Sequence, residues 1–406
     1  MKKINKKVVV AMSGGVDSSV AAALLKKEGY DVIGVFMQFW FPSGEKYGEN
    51  RCCSLKSWHE AQAVAKVLAI PIHKVNFGRQ FKKFIVDEFL AEYAGGRTPN
   101  PCVNCNKFIK FDLLLKYART VFGADYLATG HYASISSSRR KPGSRVSKNK
   151  SLINSKMVFS LRRAKDKTKD QSYFLYNLTQ SQLKYLLFPL GDYTKDEVRK
   201  LAKKFKLPVY DKKDSQEVCF VSTTVNDFLK KYLKLKAGDI ITIFSSPCLK
   251  GRCPKGGGVL KQNYFKTSPF PLLKTRRGGY RVIGRHQGLP LYTLGQRSGI
   301  GLSGGPWYVA SFNHKKNQLI VTKNQKKSNI FQKELKLTKA NWIFDEPRFP
   351  LSCEAQIRYY AKPAKCVVNK QNGLRVKFVA PQRAIMPGQS VVFYKNNELL
   401  GGGIIM

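Results

Sequence analysis

The stretch Met12-Ser13-Gly14-Gly15-Val16-Asp17-Ser18-Ser19 decides the fold, and it lies between an apolar run at 8–11 and an alanine-rich run at 20–25. The two adjacent glycines let the backbone turn so that successive N–H groups point into one small concavity. The serines that follow open a predicted helix, whose unpaired N–H groups and positive dipole end face the same point. The pattern therefore predicts a strand, a phosphate-binding turn and a helix.

This turn is not a Walker A loop, because the spacing Gly-x4-Gly-Lys-Ser/Thr does not occur and no lysine is placed to reach a terminal phosphate. Ser-Gly-Gly-x-Asp-Ser between a strand and a helix resembles the PP-loop of the ATP pyrophosphatases, which hold ATP for adenylation and release pyrophosphate. That resemblance implies adenylyl transfer. The alternative is an ordinary tight turn between a strand and a helix.

Strand-like apolar runs alternate with helical stretches from residue 6 to about 133, as in a parallel sheet covered on both faces. The predicted strands are 8–11, 31–39, 71–77 and 125–133. The predicted helices are 19–28, 54–69, 79–93 and 108–122. The fold class is α/β, with a doubly wound N-terminal domain that binds ligands at the carboxyl ends of its strands.

The chain of 406 residues is longer than one core usually organises, so we expect three domains. They are a PP-loop ATP-binding and catalytic domain at 1–222, a small central domain at 223–304 and a C-terminal domain at 305–406. The last is predicted to be an antiparallel β-barrel, from short β-rich runs at 307–312, 318–322, 353–359, 374–378 and 390–394.

The charge of the chain is strongly basic: 72 lysines and arginines against 26 acidic residues give a formal net charge of +46. Polyanions such as nucleic acid are the expected partners, although part of the excess can be solvated lysine. Basic stretches without acidic residues occur at 136–157 and 245–281. We interpret both as insertions, and the first is either a phosphate-tracking arm or a solvated loop.

The chain has neither a signal peptide nor an apolar run long enough to cross a membrane, so we expect a cytoplasmic protein that binds no membrane. Its nine cysteines are then better candidates for catalysis or metal ligation than for structural disulfides. Cys248 and Cys253 lack a second pair nearby, so we interpret them as ordinary thiols, and Cys353 and Cys366 are isolated in the sequence.

Two cysteines are candidates for sulfur chemistry. Cys105 lies in a proline-broken loop at 98–107 that leads into a helix predicted to start near Lys107, and a helix N-terminus beside a lysine favours the thiolate. Cys219 follows Asp-Ser-Gln-Glu in a predicted loop. For Cys219, the alternative is a buried, inert thiol.

Over nearly its whole length the chain resembles the family of tRNA-specific 2-thiouridylases, which thiolate the wobble uridine (U34). The matching stretches are 12–19, 97–111 (RTPNPCVNCNKFIKF), 128–132 (ATGHY), 169–175 (KDQSYFL), 214–220 (DSQEVCF), 286–301 and 381–392.

The resemblance assigns roles by position. It implies a catalytic nucleophile at Cys105 and a persulfide carrier at Cys219. The implied ATP contacts are Ala11, Met12, Ser13, Gly14, Gly15, Val16, Asp17, Ser18, Met37 and Gly130. The implied tRNA contacts are Asn100, Pro101 and Cys102 near the target base, and His131, Lys169, Asp170, Gln171, Arg358, Tyr359 and Gln389 elsewhere. For the pair Arg358 and Tyr359, a surface edge strand is the alternative interpretation.

The implied mechanism adenylates the uracil C2 oxygen with ATP, with Mg²⁺ expected on the pyrophosphate. Sulfur from a Cys219 persulfide then replaces AMP. The implied partners are the tRNAs for Glu, Gln and Lys and a cysteine desulfurase or persulfide relay protein.

The sequence departs from a common family pattern at Cys102, where many members have aspartate. Cys102, Cys105 and Cys219 together can hold a [4Fe–4S] cluster with one open iron, so a cluster-dependent thiolation is one alternative. Others are a different PP-loop adenylating enzyme acting on RNA, and a basic RNA-binding protein with a vestigial nucleotide site.

Overall fold

The computed structural model describes residues 4–42, 54–139, 157–214, 218–243, 280–324 and 330–406. Cys52, Cys53, Cys248 and Cys253 lie outside the described residues, as do most of the two basic insertions and three residues of the 214–220 motif.

The N-terminal sheet confirms the predicted fold class. It has five parallel strands in the order β3-β2-β1-β4-β7. Their bounds are Lys7–Ala11 (β1), Asp31–Gln38 (β2), Ile72–Asn76 (β3), Tyr126–Ala128 (β4) and Leu186–Leu187 (β7). The side chains of Val8, Val9 and Val10 are fully buried, as expected for a central strand covered on both faces.

Helices cover both faces of this sheet, and two more follow its last strand in the chain. They are Val16–Lys27 (α1), Leu55–Val67 (α2), Gly78–Phe81 (α3), Asp87–Ala94 (α4), Pro101–Asn104 (α5), Leu115–Val121 (α6), Gln180–Leu183 (α7), Lys195–Lys204 (α8) and Val225–Tyr232 (α9). Segments with π-helical hydrogen bonding join α3 to α4 (Lys82–Val86) and α5 to α6 (Cys105–Leu114).

The second sheet has four strands in the order β10-β11-β8-β9. They are Gly238–Ile243 (β8), Tyr280–His286 (β9), Tyr308–Asn313 (β10) and Gln318–Thr322 (β11). The prediction that placed 307–312 and 318–322 in the C-terminal barrel is therefore wrong. The sequence pattern indicates that β10 and β11 pair with each other, but it does not indicate which sheet they join. In the structure β11 also pairs with β8, which is distant in sequence, so both strands belong to the second sheet. We propose moving the boundary predicted at 304 to a point after Thr322.

The C-terminal barrel is confirmed. Its six strands are Phe331–Trp342 (β12), Leu351–Gln356 (β13), Ala364–Lys370 (β14), Leu374–Arg383 (β15), Ser390–Lys395 (β16) and Glu398–Ile405 (β17). They follow the order β12-β15-β14-β13-β16-β17, and β12 also pairs with β17, which closes the barrel.

A hairpin from the N-terminal half extends the barrel sheet. It consists of Ala133–Arg139 (β5) and Met157–Arg163 (β6), and Arg162 pairs with Glu398 of β17. The predicted loop at 136–157 is therefore wrong at its ends, which belong to strands. The serines at 136–138 are paired with residues of β6 in an antiparallel ladder. Their polar composition did not indicate a strand.

Cys353 and Cys366 are isolated in the sequence but face each other on β13 and β14, with their Sγ atoms 3.7 Å apart. Among the helices of the described ranges, none combines the length and the apolar character needed to cross a membrane.

Candidate active site

The predicted phosphate-binding turn joins β1 to α1. Gly15 is the N-cap of α1 and forms no side-chain capping bond. The hydroxyl of Ser19 donates to the Gly15 carbonyl at 2.8 Å, and the Ser18 hydroxyl accepts from the Ser13 N–H at 3.1 Å. The serine side chains thus fold back on the turn and the helix begins without a side-chain cap, which is the arrangement that suits an anion.

Close backbone packing explains two glycines at this site. Gly14 has a φ of +69°, and a Cβ there would lie 2.2 Å from the Ser57 carbonyl oxygen at the start of α2. A Cβ on Gly130 would lie 2.7 Å from the Ser18 nitrogen. Only glycine fits either position, so the turn, α2 and the 128–132 motif form one cradle. The donors of this cradle fit the phosphates of ATP.

An ion-pair network connects the cradle to two other motifs. The ammonium of Lys195, whose side chain is 10% exposed, lies 2.8 Å from an Asp17 carboxylate oxygen and 2.7 Å from one of Asp214. Lys169 pairs with the other Asp214 oxygen at 2.7 Å. The network therefore joins a predicted ATP residue, a predicted tRNA residue and the motif that contains Cys219.

The network shifts the protonation equilibria of its members. Burial opposes the charged form of Asp214, but hydrogen bonds from Lys169 and Lys195 outweigh burial and lower its pKa. The hydrogen bond that Lys169 donates to Asp214 raises the pKa of this lysine. Tyr132 donates to Asp17 at 2.8 Å, and burial, followed by the charge of Asp17, raises the pKa of this tyrosine. Asp214 and Lys169 are thus both charged at neutral pH.

Lys195, Lys212 and Tyr132 contact the cradle residues but are not among the site residues predicted from the sequence. Lys212 donates to the Gly14 carbonyl at 3.1 Å and pairs with Glu60. The residues 194–197 (TKDE) carry a capping-box signature, and the structure contains that box. The signature predicts where α8 begins, but it does not show that the first lysine of the helix reaches Asp17.

The two cysteines of 102–105 lie in a helix, so the predicted loop that ends near Lys107 is wrong. The helix starts at Pro101, because proline at the first helical position loses no hydrogen bond and has a suitable φ. Cys102 is exposed on α5, and Cys105 is buried at the start of the π-helical segment. Such segments occur frequently at functional sites.

The C-terminal barrel holds the chain just before this helix. The side-chain amide of Gln389 donates to the Thr98 carbonyl at 3.0 Å, and the Thr98 N–H donates to the Pro387 carbonyl at 2.9 Å. The predicted target-base residues Asn100, Pro101 and Cys102 follow directly.

Cys219 is partly buried in a short loop, and the next residue anchors it. The ring of Phe220 packs against Phe81, Phe89 and Phe228 at centroid distances of 5.8, 5.2 and 5.5 Å. Cys105 and Cys219 both pack into the same apolar cluster. Within the described residues, no three His, Cys, Asp or Glu side chains are grouped closely enough to hold a metal ion.

The segment after β13 contains Arg358 and Tyr359, and Tyr359 lies near Cys102 of α5. The Tyr359 ring lies 4.5 Å from Phe174 and 4.5 Å from Tyr360, which is 86% exposed. Burial raises the pKa of Tyr359, with smaller contributions from Tyr360, Asp170 and Cys102, so Cys102 is within electrostatic reach of this ring. Burial, followed by the charge of Arg383, lowers the pKa of Arg358.

Three further predicted tRNA residues have partners within the protein. Buried Asp170 accepts hydrogen bonds from Arg163 at 3.1 Å and from the Ser172 hydroxyl at 2.9 Å. Gln171 accepts from the Tyr132 N–H at 3.0 Å. His131 is buried with its Nδ1 2.6 Å from the Thr129 hydroxyl, and burial holds its pKa well below the usual value. Their contacts with tRNA stay a prediction.

Comparison with known proteins gives consistent matches along the chain. The family model described as tRNA methyl transferase HUP domain matches residues 6–223, the PRC-barrel domain model of the same name matches 263–323, and an aminomethyltransferase beta-barrel domain model matches 332–405.

Full-length relatives are similar to this chain throughout. The tRNA-specific 2-thiouridylase MnmA of Carboxydothermus hydrogenoformans is 44% identical over 406 residues, which is 98% of this chain and 97% of the relative. The protein of the same name from Clostridium acetobutylicum is 43% identical over 408 residues, covering 99% of this chain and all of the relative. The chain therefore belongs to the family of tRNA-specific 2-thiouridylases.

Proposed function

We propose that this protein catalyses the ATP-dependent 2-thiolation of the wobble uridine of tRNA, by adenylation of the uracil C2 oxygen followed by sulfur transfer from a cysteine persulfide. The observation that supports this most strongly is the ion-pair network of Asp17, Lys195, Asp214 and Lys169. Its members belong to the predicted nucleotide cradle, to a predicted tRNA motif and to the first position of the motif that contains Cys219, and a two-step reaction on one base requires these motifs to lie close together.

In the first step, the cradle at 12–18 binds the phosphates of ATP. Its backbone N–H groups and the N-terminus of α1 stabilise negative charge on the pyrophosphate as it leaves. ATP supplies the AMP group that turns the C2 oxygen into a leaving group, and Mg²⁺ is proposed to neutralise the pyrophosphate.

In the second step, the outer sulfur of a Cys219 persulfide attacks C2, and the C2–O bond breaks to release AMP. The Cys105 thiolate then attacks the inner sulfur of Cys219. The S–S bond of the persulfide breaks, the transferred sulfur stays on the base, and a Cys105–Cys219 disulfide forms. A thiol reductant supplies the two electrons that reopen this disulfide.

The substrate site is proposed to lie between the start of α5 and the barrel residues Arg358 and Tyr359, where an unstacked base finds aromatic and guanidinium surfaces. The proposed substrates are the tRNAs for Glu, Gln and Lys. A cysteine desulfurase or relay protein is proposed to load Cys219, in the cytoplasm.

The test is thiolation of an unmodified substrate tRNA with ATP and a persulfide donor, comparing wild type with Cys219→Ala and Asp17→Ala. We expect wild type to form 2-thiouridine, Cys219→Ala to adenylate without thiolating, and Asp17→Ala to do neither. Equal product from all three would refute the proposal.

In the cluster-dependent alternative, Cys102, Cys105 and Cys219 would be the iron ligands, although in the structure these three described cysteines are not grouped closely enough to hold a metal ion. Anaerobic purification followed by iron and sulfide analysis, with and without Cys102→Ala, separates the two versions. Iron and sulfide in wild type that disappear in Cys102→Ala would support the cluster. Their absence from both samples would support the persulfide route.

A further inference from the structure

Lys212 contacts the nucleotide cradle at a backbone carbonyl. Its ammonium donates to the Gly14 carbonyl at 3.1 Å and to the Ser57 hydroxyl at 3.4 Å, and it pairs with the Glu60 carboxylate. An ammonium has three N–H donors, so these three acceptors use all of them. Lys212 therefore holds the phosphate-binding turn itself, and in this arrangement it keeps no N–H for a phosphate.

The surrounding elements hold Lys212 in place. Its side chain is 14% exposed. Its backbone N–H donates to the Val209 carbonyl at 3.1 Å, and its carbonyl accepts from Arg199 of α8 at 3.1 Å. Its ammonium contacts Ser57 and Glu60, which both belong to α2. Lys212 is thus tied to α8 by its backbone and to α2 by its side chain.

The contact at the Gly14 carbonyl sets the direction of the next N–H group. The peptide between Gly14 and Gly15 is planar and trans, so its carbonyl and its N–H point in opposite directions. Because the carbonyl points toward Lys212, the Gly15 N–H points to the other side. Gly15 is the N-cap of α1, so this N–H belongs with the donors at the start of the helix, which have no partner within the helix.

A peptide between two glycines rotates easily, because neither residue has a Cβ that restricts the torsions on its two sides. A half-turn of this peptide would exchange its carbonyl and its N–H, and an oxygen would then face a bound phosphate. Lys212 opposes that rotation. Glu60 would favour it if the lysine were absent, because a carboxylate accepts from an N–H and repels a carbonyl oxygen.

We propose that Lys212 is a positioning residue for nucleotide binding: it holds the Gly14 carbonyl so that the Gly15 N–H points into the cradle, and it neutralises Glu60, which would otherwise turn this peptide around. The inference rests on the proposed ATP site. It adds to that site a residue that acts through the backbone and does not touch the nucleotide.

The test measures, by calorimetry at fixed Mg²⁺ and salt, the binding of inorganic pyrophosphate and of an ATP analogue with a methylene bridge between its α- and β-phosphorus atoms. In Lys212→Met we expect the peptide to turn toward Glu60 and to donate to its carboxylate. Both ligands should then bind about 10- to 150-fold more weakly, because a hydrogen bond to a charged group favours the turned state by that factor and only the remaining fraction binds.

A double variant, Lys212→Met with Glu60→Gln, separates positioning from a direct contact of the lysine with phosphate. A neutral amide can accept or donate, so it favours neither orientation, and we expect the affinity for pyrophosphate to return to within about 3-fold of wild type. A lysine that bound phosphate itself would leave the double variant as weak as Lys212→Met. Lys213→Met removes an exposed lysine at the next position and should bind both ligands like wild type.

A crystal structure of Lys212→Met without nucleotide shows the peptide directly, and we expect the Gly14 carbonyl to point away from Glu60. Wild-type affinity in Lys212→Met, equal weakening in Lys213→Met, a double variant as weak as the single one, or an unturned carbonyl would overturn the positioning role. Absence of pyrophosphate binding to wild type would instead refute the proposed ATP site.

Discussion

Gln389 of the C-terminal barrel donates its side-chain amide to the carbonyl of Thr98, three residues before the helix that contains Cys102 and Cys105. The two residues are 291 positions apart in sequence. The barrel therefore takes part in shaping the predicted base pocket, in addition to any contact of its own with tRNA.

We expect Gln389→Ala to lower the free energy of unfolding by about 1 kcal/mol, the usual net value of one hydrogen bond, and to slow thiolation without changing ATP affinity. Chemical denaturation and steady-state kinetics measure the two effects. Gln382→Ala is the matched control, since in the described part of the chain that amide donates to the Ala380 carbonyl, two residues away. Similar effects of the two substitutions would contradict this role of Gln389.

The cradle should reject any side chain at Gly14. Alanine at Gly14 and alanine at Gly123 would each adopt a positive φ, which costs about 1 to 2 kcal/mol. The two positions differ in their surroundings: the added Cβ meets a backbone oxygen at Gly14, whereas it enters open space at Gly123. We expect Gly14→Ala to abolish the ATP-dependent rise in unfolding temperature and Gly123→Ala to keep it. Retention of that rise in Gly14→Ala would show that the cradle is not where ATP binds.

His131 should make stability depend on pH. Burial, followed by the charge of Lys110, lowers its pKa in the folded protein, while the unfolded chain has the ordinary value of about 6.5. Below about pH 6.5 the unfolded state binds a proton that the folded state does not bind. The contribution of neutral, buried His131 to the free energy of unfolding is therefore fully present above that pH and is lost as the pH falls.

We therefore expect His131→Gln to flatten the fall in the free energy of unfolding between about pH 6.5 and pH 5, a slope of up to about 1.4 kcal/mol per pH unit for one proton. Urea denaturation across this range measures it. His59→Gln, at an exposed position, is the matched control for the loss of one histidine. Parallel pH profiles for wild type and His131→Gln would contradict the prediction.

Tyr360 should act as a stacking surface for a nucleotide near the target base. Its ring is 86% exposed beside Tyr359, and stacking of one base on such a ring is worth about 1 to 3 kcal/mol. We expect Tyr360→Ala to weaken tRNA binding about 5- to 150-fold, and Tyr360→Phe to bind like wild type. Filter binding at one fixed salt concentration measures both, and equal affinity of Tyr360→Ala and wild type would contradict the prediction.

The sequence predicted the N-terminal domain well because its signals are local. The apolar run at 8–11, the paired glycines and the alternation of strands with helices each specify structure within a few residues. The start of the helix at Pro101 was missed, although proline at a first helical position is itself a local signal, because Pro99 and Pro101 together were interpreted as breaking the helix.

Contacts between distant segments could not be predicted from the sequence. Nothing local shows that β11 pairs with β8, that Cys353 faces Cys366, or that Lys195 reaches Asp17 across 178 positions. These contacts depend on how the elements pack, so the motifs indicated which residues matter and the fold showed how they are connected.

Sulfur transfer to a tRNA uridine is measured by mass analysis of the nucleosides of a substrate tRNA after reaction. Unmodified tRNA is incubated with the purified protein, ATP and a persulfide donor, and then digested. We predict a wobble uridine in which sulfur replaces the C2 oxygen, formed only when ATP is present. An unchanged uridine, a methylated uridine or sulfur incorporation without ATP would be incompatible with ATP-dependent 2-thiolation by this protein.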